Sequence, residues 1–487
     1  IATRPVTRSD NPNPNSSGLA ILRDYLDAYG QVYSNLIQNN PNYPTKQYLW
    51  DKTVAGYNNV DDGVNLIISV VDDDDPRPVW FSNWGCDAGT KSSLWRALDK
   101  IKSERGQAGY EAFKNKIRIN GDPKFGDHDK LLTPNWKIFT YTKCGTYPCE
   151  PFGERWYHRF MPLTYKAGGF NITADVLTNH GPLGALYTIQ KEGDTPEFLL
   201  VIPNGLCEPY HPQWGGWAGR YGTINNGPYS VGPNYTWPNQ KDTWNGSTSR
   251  DNTLSRWAVH LQNDFKARMD WCVKAFSQTN HEPVPAVNGV SGRDFHVINA
   301  IPGGQVRLSA AGSTDPDGDQ LSYEWVYYRE AGTYSGNVNI TASTSETASL
   351  TVPSNIGNDD TIQVILMATD NGDPALTRYR RVLIVKGDPV LKLESNIAPL
   401  KKSCIKILPN PFNKYAKLSI LETAENQNSF KNNYLIEIQN IKGGIINRFR
   451  SLKREIIIND HGLSGGMYVI RVTHDNQTMT APLLFLR

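Results

Sequence analysis

A strand–helix–strand pattern decides the fold: residues 78–85 read PVWFSNWG, residues 92–106 read SSLWRALDKIKSERG, and residues 114–121 read KNKIRING. The first and third segments are short apolar runs that end in a glycine turn, which is typical of buried strands. The middle segment carries apolar residues at helical spacing. Strands that alternate with helices predict a mostly parallel sheet with helices on its faces.

The same alternation extends from residue 1 to about residue 280. Apolar periodicity predicts helices over residues 19–37 and 64–73, and a further strand over FLLVIPNG at 198–205. A long helix is predicted for residues 253–276, where its broad apolar face would cover the sheet. We therefore interpret residues 1–280 as an open parallel α/β domain.

Loops that follow the strands are the expected binding region, because open parallel sheets bind ligands at the carboxyl ends of their strands. These loops are residues 83–90, 121–129 and 204–221. The second, GDPKFGDHD, offers oxygen ligands for a hard cation, with a solvated acidic loop as the alternative. The first loop supplies the candidate substrate-binding residues Asn83, Trp84 and Asp87.

The segment HPQWGGWAGRYG at 211–222 combines aromatic rings with glycines. Glycines let the backbone approach a ligand closely, and indole rings offer an apolar stacking face. A packed aromatic corner is the alternative, but the number of glycines favours a loop that lines a ligand. We therefore predict that Trp214, Trp217 and Arg220 hold the substrate.

Two carboxylates lie in the segment KEGDTPEFLLVIPNG at 191–205. Glu192 and Asp194 are candidate catalytic residues, because paired carboxylates can divide into an acid and a base or metal ligand. Capping of a helix by Asp194 is the structural alternative. His180, in the loop NHGPLGALY, is a candidate for orienting a substrate hydroxyl or is simply a hydrogen-bonded histidine.

Composition and missing motifs exclude several classes of function. The chain has 50 Lys and Arg against 48 Asp and Glu, so it lacks the basic excess of a nucleic-acid binder. The sequence has no uninterrupted stretch of about 18 apolar residues, so no transmembrane helix is predicted. The motifs of serine hydrolases, nucleoside triphosphatases and zinc proteases are absent.

Two all-β units follow the α/β domain. Residues 281–387 contain short alternating strands with turn signals between them, including the acidic turn STDPDGDQ at 313–320, and this pattern is typical of a β-sandwich. Residues 388–403 are predicted to be a linker. Residues 404–487 again carry short strands and form a second predicted β-sandwich.

Several stretches together resemble a known bacterial family that has a nucleoside hydrolase-like domain and is named after a cellulose-binding protein. They are DDPRPVWFSNWG, RWYHRF, AGGFNI, NHGPLGALY, EGDTPEFLLVIPNGL, HPQWGGWAGRYG and LQNDFKARMDWCV. The sandwich is similar to the Ig-like domain that follows in that family. The last unit, with ILPNPF, IKG and LSGGMYVIRV, resembles the C-terminal sorting domain of the type IX secretion system. That resemblance implies a partner in the secretion machinery and a secreted or cell-surface protein.

The nucleoside hydrolase-like resemblance implies a Ca²⁺ that binds a sugar and activates water. In that fold the main aspartate-rich metal loop follows the first strand and precedes a segment that ends in IAT, and this chain begins at Ile1-Ala2-Thr3. We therefore expect an N-terminally truncated domain with an incomplete Ca²⁺ site, in which Asp194 is the candidate metal ligand. The expected function is an exported glycosyl hydrolase acting on a polysaccharide or glycoside. The alternative is a non-catalytic carbohydrate-binding surface protein.

Overall fold

The computed structural model describes most of the first two domains and the strands of the third. The described residues are 14–75, 77–82, 89–120, 128, 137–139, 168–187, 195–224, 234–236, 240–387, 404–408, 415–421, 434–440, 444–451, 455–459, 463, 466–474 and 477–485. Residues 1–389 form one compact unit and residues 390–487 another. The division between them falls inside the segment predicted as a linker.

The first domain is built from helices around a small parallel sheet. Its helices are Pro14–Asn39 (α1), Lys46–Asp51 (α2), Asp62–Val71 (α3), Ser93–Asn115 (α4), Gly181–Ala185 (α5), Thr195–Leu199 (α6), Asn252–Ser255 (α7) and Ala258–Asp270 (α8). Its strands are Val79–Ser82 (β1), Ile117–Asn120 (β2) and Lys137–Phe139 (β3), with the hairpin strands Gly222–Ile224 (β4), Asn234–Thr236 (β5), Asp242–Trp244 (β6) and Ser247–Ser249 (β7).

Strands β1, β2 and β3 pair in parallel, which confirms the predicted open parallel sheet. Helices α3 and α4 cover it with a shared apolar core that includes Val64, Leu94 and Ile119. Helix α4 begins where the Ser92 side chain accepts a hydrogen bond from the backbone N–H of Trp95, and it is interrupted at Gly106. Because the three strands run in parallel, their carboxyl ends lie at the same edge of the sheet.

Two predicted elements of the first domain are wrong in the described residues. The segment FLLVIPNG does not form a strand: α6 ends at Leu199 and a turn follows. The predicted helix at 253–276 is two helices, α7 and α8, with Arg256 and Trp257 between them. Leu199, Leu254 and Trp257 of these segments are buried in a core shared with the second domain, whereas Phe198, Val273 and Phe276 are exposed.

The second domain is the predicted β-sandwich. Its strands are Ala286–Val287 (β8), Val290–Ser291 (β9), His296–Ala300 (β10), Gln305–Ser309 (β11), Ser322–Tyr327 (β12), Ile340–Thr341 (β13), Thr347–Thr351 (β14), Thr361–Thr369 (β15) and Thr377–Lys386 (β16). One sheet has the order β10-β16-β15-β12 and the other the order β11-β14-β13. The two sheets enclose an apolar core that includes Trp325, Leu350 and Val364.

The four-stranded sheet is covered on both faces, because its outer face packs against the first domain. Ile365 and Tyr379 lie on that outer face, in one core with Leu206, Trp217 and Trp257 of the first domain. Successive strand residues point to opposite faces, so β15 and β16 are buried almost continuously. Helices α7 and α8 therefore cover the sandwich sheet.

The third domain is a separate all-β unit. Its strands are Cys404–Leu408 (β17), Tyr415–Leu421 (β18), Tyr434–Asn440 (β19), Ile445–Ser451 (β20), Glu455–Asn459 (β21), Gly466–His474 (β22) and Gln477–Phe485 (β23). They form sheets of order β17-β18-β21 and β20-β19-β22-β23 around an apolar core. Within the described residues, no helix has the length and apolar character needed to cross a bilayer.

Candidate functional site

The loop at 204–221 reaches one face of the parallel sheet. Trp80 of β1 and Arg118 of β2 are register partners and therefore share a face. The Tyr210 ring lies over that face, with its centroid 5.5 Å from the Trp80 ring in an edge-on contact and 5.9 Å from the Arg118 guanidinium. The loop thus contacts a face of the sheet through Tyr210, whereas the sequence predicted that it follows a strand at the carboxyl ends of the sheet.

Local hydrogen bonds set the path of this loop. The Asn204 side-chain oxygen accepts hydrogen bonds of 2.9 Å from the backbone N–H groups of Leu206 and Cys207, which turns the chain out of α6. Gly205 has a φ of 86°, and a Cβ atom there would lie 1.9 Å from the carbonyl oxygen of Tyr379. Only glycine permits this close approach of the loop to strand β16.

Next to Tyr210, the loop presents a carboxyl group and an imidazole. The Glu208 carboxylate accepts a hydrogen bond of 3.3 Å from the Tyr210 backbone N–H. Burial raises the pKa of Glu208, although the hydrogen bond from Tyr210 and the charge of Arg381 oppose this shift. Burial lowers the pKa of His211 to about 4, so its ring is neutral at pH 7.

Trp214 ends the same turn and is half-buried. Its ring stacks on His211 with centroids 3.9 Å apart and planes 10° from parallel. Phe295 of the second domain makes an edge-on contact at 5.4 Å. We call the set that combines these groups the junction cluster: Trp80, Arg118, Glu208, Tyr210, His211 and Trp214.

Trp217 and Arg220 are closed to a ligand, which differs from the predicted substrate-binding role. Trp217 is 1% exposed, and its indole N–H donates a hydrogen bond to the Tyr379 hydroxyl. Arg220 donates from Nε to Asp242 at 2.7 Å and from its two Nη atoms to Gln240 and the Lys241 carbonyl. All the nitrogens of the Arg220 guanidinium have acceptors, so we assign both side chains to packing.

His180 is also buried, at the start of α5. Its Nε2 lies 3.2 Å from a carboxylate oxygen of Asp270, which also pairs with Lys274 at 2.8 Å. This is the hydrogen-bonded arrangement that the sequence left open as the alternative to substrate contact. In this structure His180 links α5 to α8.

The other predicted site residues lie outside the described residues and stay predictions. They are Asn83, Trp84, Asp87, Glu192 and Asp194. In the loop GDPKFGDHD, His128 is described, and its two ring nitrogens contact the Tyr110 hydroxyl at 2.5 Å and Asp99 at 2.8 Å. That imidazole is therefore engaged within the fold.

Asp194, the candidate ligand for the Ca²⁺ that the resemblance implies, lies outside the described residues. Among the described residues of the chain, the group of three or more His, Cys, Asp or Glu close enough to hold a metal ion lies in the second domain. Ca²⁺ binding by Asp194 therefore stays a prediction, and no chemical step is derived through it.

The chain matches three protein families in succession. Residues 1–221 match the nucleoside hydrolase-like domain of cellulose-binding Sde182, residues 305–386 match the C-terminal domain of the cellulose-binding protein Sde0182, and residues 406–484 match a secretion system C-terminal sorting domain. A solved structure of a nucleoside hydrolase-related protein from Saccharophagus degradans, described as associated with carbohydrate metabolism, is 34% identical. The match covers 77% of this chain and 89% of that chain, with a TM-score of 0.60. The chain belongs to the Sde182 family.

Membership of the Sde182 family confirms the suspected resemblance and the nucleoside hydrolase-like fold. The sorting domain indicates export by the type IX secretion system to the cell surface or the extracellular space.

Two further likenesses are weak. Latent PorU from Porphyromonas gingivalis is 15% identical over 42% of this chain and 20% of that chain, with a TM-score of 0.15. Fibronectin(III)-like modules of CbhA from Clostridium thermocellum are 10% identical over 41% of this chain and 94% of that chain, with a TM-score of 0.14. A comparison with curated proteins finds no match.

Glu208, Tyr210 and His211 were missed by sequence reasoning, although they directly precede or begin the glycine-rich segment. The sequence feature that could have identified them was their position next to that segment. Trp80 was recognised only as a strand residue, because its contact with Tyr210 joins positions far apart in the sequence.

Proposed function

We propose that this exported protein binds carbohydrate at the junction cluster. The observation that carries the proposal is a run of half-buried groups along the loop: Tyr210 contacts Trp80 of the parallel sheet, the Glu208 carboxylate accepts from the Tyr210 backbone, and Trp214 stacks on His211. The cellulose-binding description of the family supports the choice of ligand class.

The chemistry of a glycan suits this cluster. The C–H faces of a sugar ring are apolar and stack on aromatic rings, whereas its hydroxyl groups need hydrogen-bond partners. Tyr210 and Trp214 offer ring surface, and Glu208 offers oxygens that donate when protonated and accept when ionised. A neutral His211 supplies one donor and one acceptor.

A pull-down on insoluble cellulose and other polysaccharides tests this binding. Tyr210→Ala and Trp214→Ala should each lower the fraction of full-length protein bound at least about fivefold, as expected for loss of a central aromatic contact. The control is Tyr48→Ala in α2, which removes a tyrosine that is 57% exposed and far along the chain from the cluster. Thermal unfolding of each variant verifies the fold. Binding by both cluster variants equal to that of Tyr48→Ala would reject the site.

Glycoside hydrolysis is the second candidate, and the raised pKa of Glu208 favours it. A carboxyl with a raised pKa keeps its proton to a higher pH than usual, and it can donate that proton to the leaving glycosidic oxygen while water attacks the anomeric carbon. Glu192 and Asp194 remain the proposed partner carboxylates, with Asp194 also the proposed Ca²⁺ ligand. The resulting enzyme would release sugar from the glycan that it binds.

Sugar release by the full-length protein distinguishes the two candidates. If the protein hydrolyses its glycan, Glu208→Gln and Asp194→Ala should lower the rate at least about a hundredfold while binding persists. Glu104→Gln, on the exposed face of α4, is the matched control. Binding without release supports a purely binding protein, and unchanged release in both variants would reject these carboxylates as catalytic.

A further inference from the structure

The acidic turn at 313–320 brings three carboxylates together between β11 and β12 of the sandwich. One carboxylate oxygen from each of Asp315, Asp317 and Asp319 lies within 4.8 Å of the others. Carboxylates this close repel one another unless a cation or several donors offset their charge. The buried carboxylate oxygens near this turn indicate whether a cation or hydrogen-bond donors offset the charge.

Asp370 follows strand β15 and is only 3% exposed. Its Oδ1 atom accepts three hydrogen bonds, from the backbone N–H groups of Gly372 and Leu376 at 3.0 and 2.9 Å and from the Asn280 side chain at 2.8 Å. Its Oδ2 atom is buried without a hydrogen-bond partner. Since an unpaired buried carboxylate oxygen is costly, this atom calls for a ligand.

Asp315, in the acidic turn, also has one hydrogen-bonded carboxylate oxygen and one unpaired oxygen. Its Oδ1 accepts hydrogen bonds from the backbone N–H groups of Asp317 and Asp319 at 2.8 and 3.2 Å. Its Oδ2 is also buried without a partner. Each of the two aspartates is therefore held in place through one oxygen and leaves the other oxygen unpaired.

The two loops that carry these aspartates are adjacent. The backbone N–H of Gln320 donates a 2.8 Å hydrogen bond to the Asn371 side chain. Gln320 directly follows Asp319 and Asn371 directly follows Asp370, so this hydrogen bond holds the two aspartate-bearing loops together. His281 contacts the same turn, through its backbone N–H and Nδ1 to Asp317 at 2.7 and 3.0 Å.

We propose that Asp315, Asp317 and Asp319, whose oxygens already lie together, bind one Ca²⁺ ion, and that Asp370 of the adjacent loop completes the ligand set. An all-oxygen set dominated by carboxylates suits a hard cation, and Ca²⁺ tolerates the irregular geometry of two loops better than Mg²⁺ does. Zn²⁺ prefers nitrogen and sulfur ligands, whereas all four of these side chains are oxygen ligands. The ion joins the acidic turn to the loop after β15, where Asn280 and His281 lead the chain into the sandwich.

Isothermal titration of the full-length, EDTA-treated protein with CaCl₂ tests the site. The wild type should bind Ca²⁺ at this site and gain thermal stability with increasing Ca²⁺. Asp370→Asn and Asp319→Asn should each weaken the Kd at least about tenfold. Asp359→Asn is the control, because it removes the same charge from an exposed position of the same domain.

The isosteric change at Asp370 also separates ligand loss from misfolding. An asparagine keeps an oxygen for the three donors that Oδ1 accepts from and removes the buried charge, so the metal-free variant should melt no lower than the metal-free wild type. Wild-type-like titration by both Asp370→Asn and Asp319→Asn, or equal affinity for MgCl₂, would overturn the assignment.

Discussion

The indole N–H of Trp217 donates a 3.0 Å hydrogen bond to the hydroxyl of Tyr379. One residue belongs to the glycine-rich loop of the first domain and the other to strand β16 of the sandwich. The same hydroxyl lies 2.5 Å from Nδ1 of His260 in α8. The Trp217 N–H can only donate, so the Tyr379 hydroxyl accepts from it and can donate its own proton to Nδ1 of His260. The three side chains are thus connected by two hydrogen bonds.

Tyr379→Phe should therefore destabilise the protein by about 2–4 kcal/mol, because it leaves the Trp217 N–H and the His260 ring nitrogen buried without partners. Urea unfolding measures the change. Tyr334→Phe is the control: its hydroxyl donates one hydrogen bond, to Asn355 at 3.0 Å, so it should cost about 1 kcal/mol. Equal losses of stability in the two variants would show that the two hydrogen bonds of the Tyr379 hydroxyl stabilise the protein no more than the single hydrogen bond of Tyr334 does.

His260 predicts a pH dependence of stability. Burial lowers its pKa to about 4, against about 6.5 in an unfolded chain. The unfolded state therefore takes up a proton at a higher pH than the folded state, so stability is complete above pH 6.5 and falls as the pH decreases toward 4. Between pH 7 and pH 5 this group should cost about 1–2 kcal/mol.

The variant His260→Asn isolates that contribution. Asparagine retains an acceptor near the Tyr379 hydroxyl but does not titrate, so its free energy of unfolding should fall less than that of the wild type between pH 7 and pH 5. Urea unfolding at the two pH values gives the difference. Parallel pH profiles for the two proteins would contradict the low pKa of His260.

Gly205 offers a test of how closely the two domains approach. Gly205→Ala would place a Cβ atom 1.9 Å from the Tyr379 carbonyl oxygen, at a φ of 86°. Gly303→Ala is matched, because Gly303 has a φ of 77° and open space where its Cβ would lie. The alanine at 303 should cost about 1 kcal/mol from backbone strain, and the alanine at 205 at least about 2 kcal/mol more because backbone atoms must move. Equal melting temperatures would contradict the close contact.

The sequence predicted most of the fold because its local patterns are strong. PVWF at 78–81 and KIRI at 116–119 have the short apolar character of buried parallel strands, and they pair in parallel in the structure. The prediction for FLLVIPNG at 198–205 was wrong because a short apolar run has the same character in a buried helix and in a strand. In this segment, packing against the sandwich decides between a helix and a strand.

The candidate site was less predictable because its burial depends on contacts between distant parts of the chain. Glycines and tryptophans at 211–222 are equally suited to a ligand and to a second domain. Trp217 is covered by Tyr379, and that pairing spans 162 residues. One available signal was TIQVILMA at 361–368, whose continuous apolar character indicates a strand covered on both faces. It indicated that something covers the outer face, without identifying the covering segment.

Arg220 leads to the last prediction, which tests its assignment to packing. Its partner Asp242 is fully buried and also accepts hydrogen bonds from Arg256 at 3.3 Å and from the Tyr328 hydroxyl at 2.6 Å. Asp242→Asn would leave two buried guanidinium groups short of a negative charge, at a cost of about 3–5 kcal/mol in urea unfolding. Asp72→Asn, which breaks a half-exposed pair with Arg105, should cost no more than about 1 kcal/mol. A small loss at Asp242, similar to that at Asp72, would mean that Arg220 does not need this carboxylate for folding, and Arg220 would again be a candidate for holding the glycan.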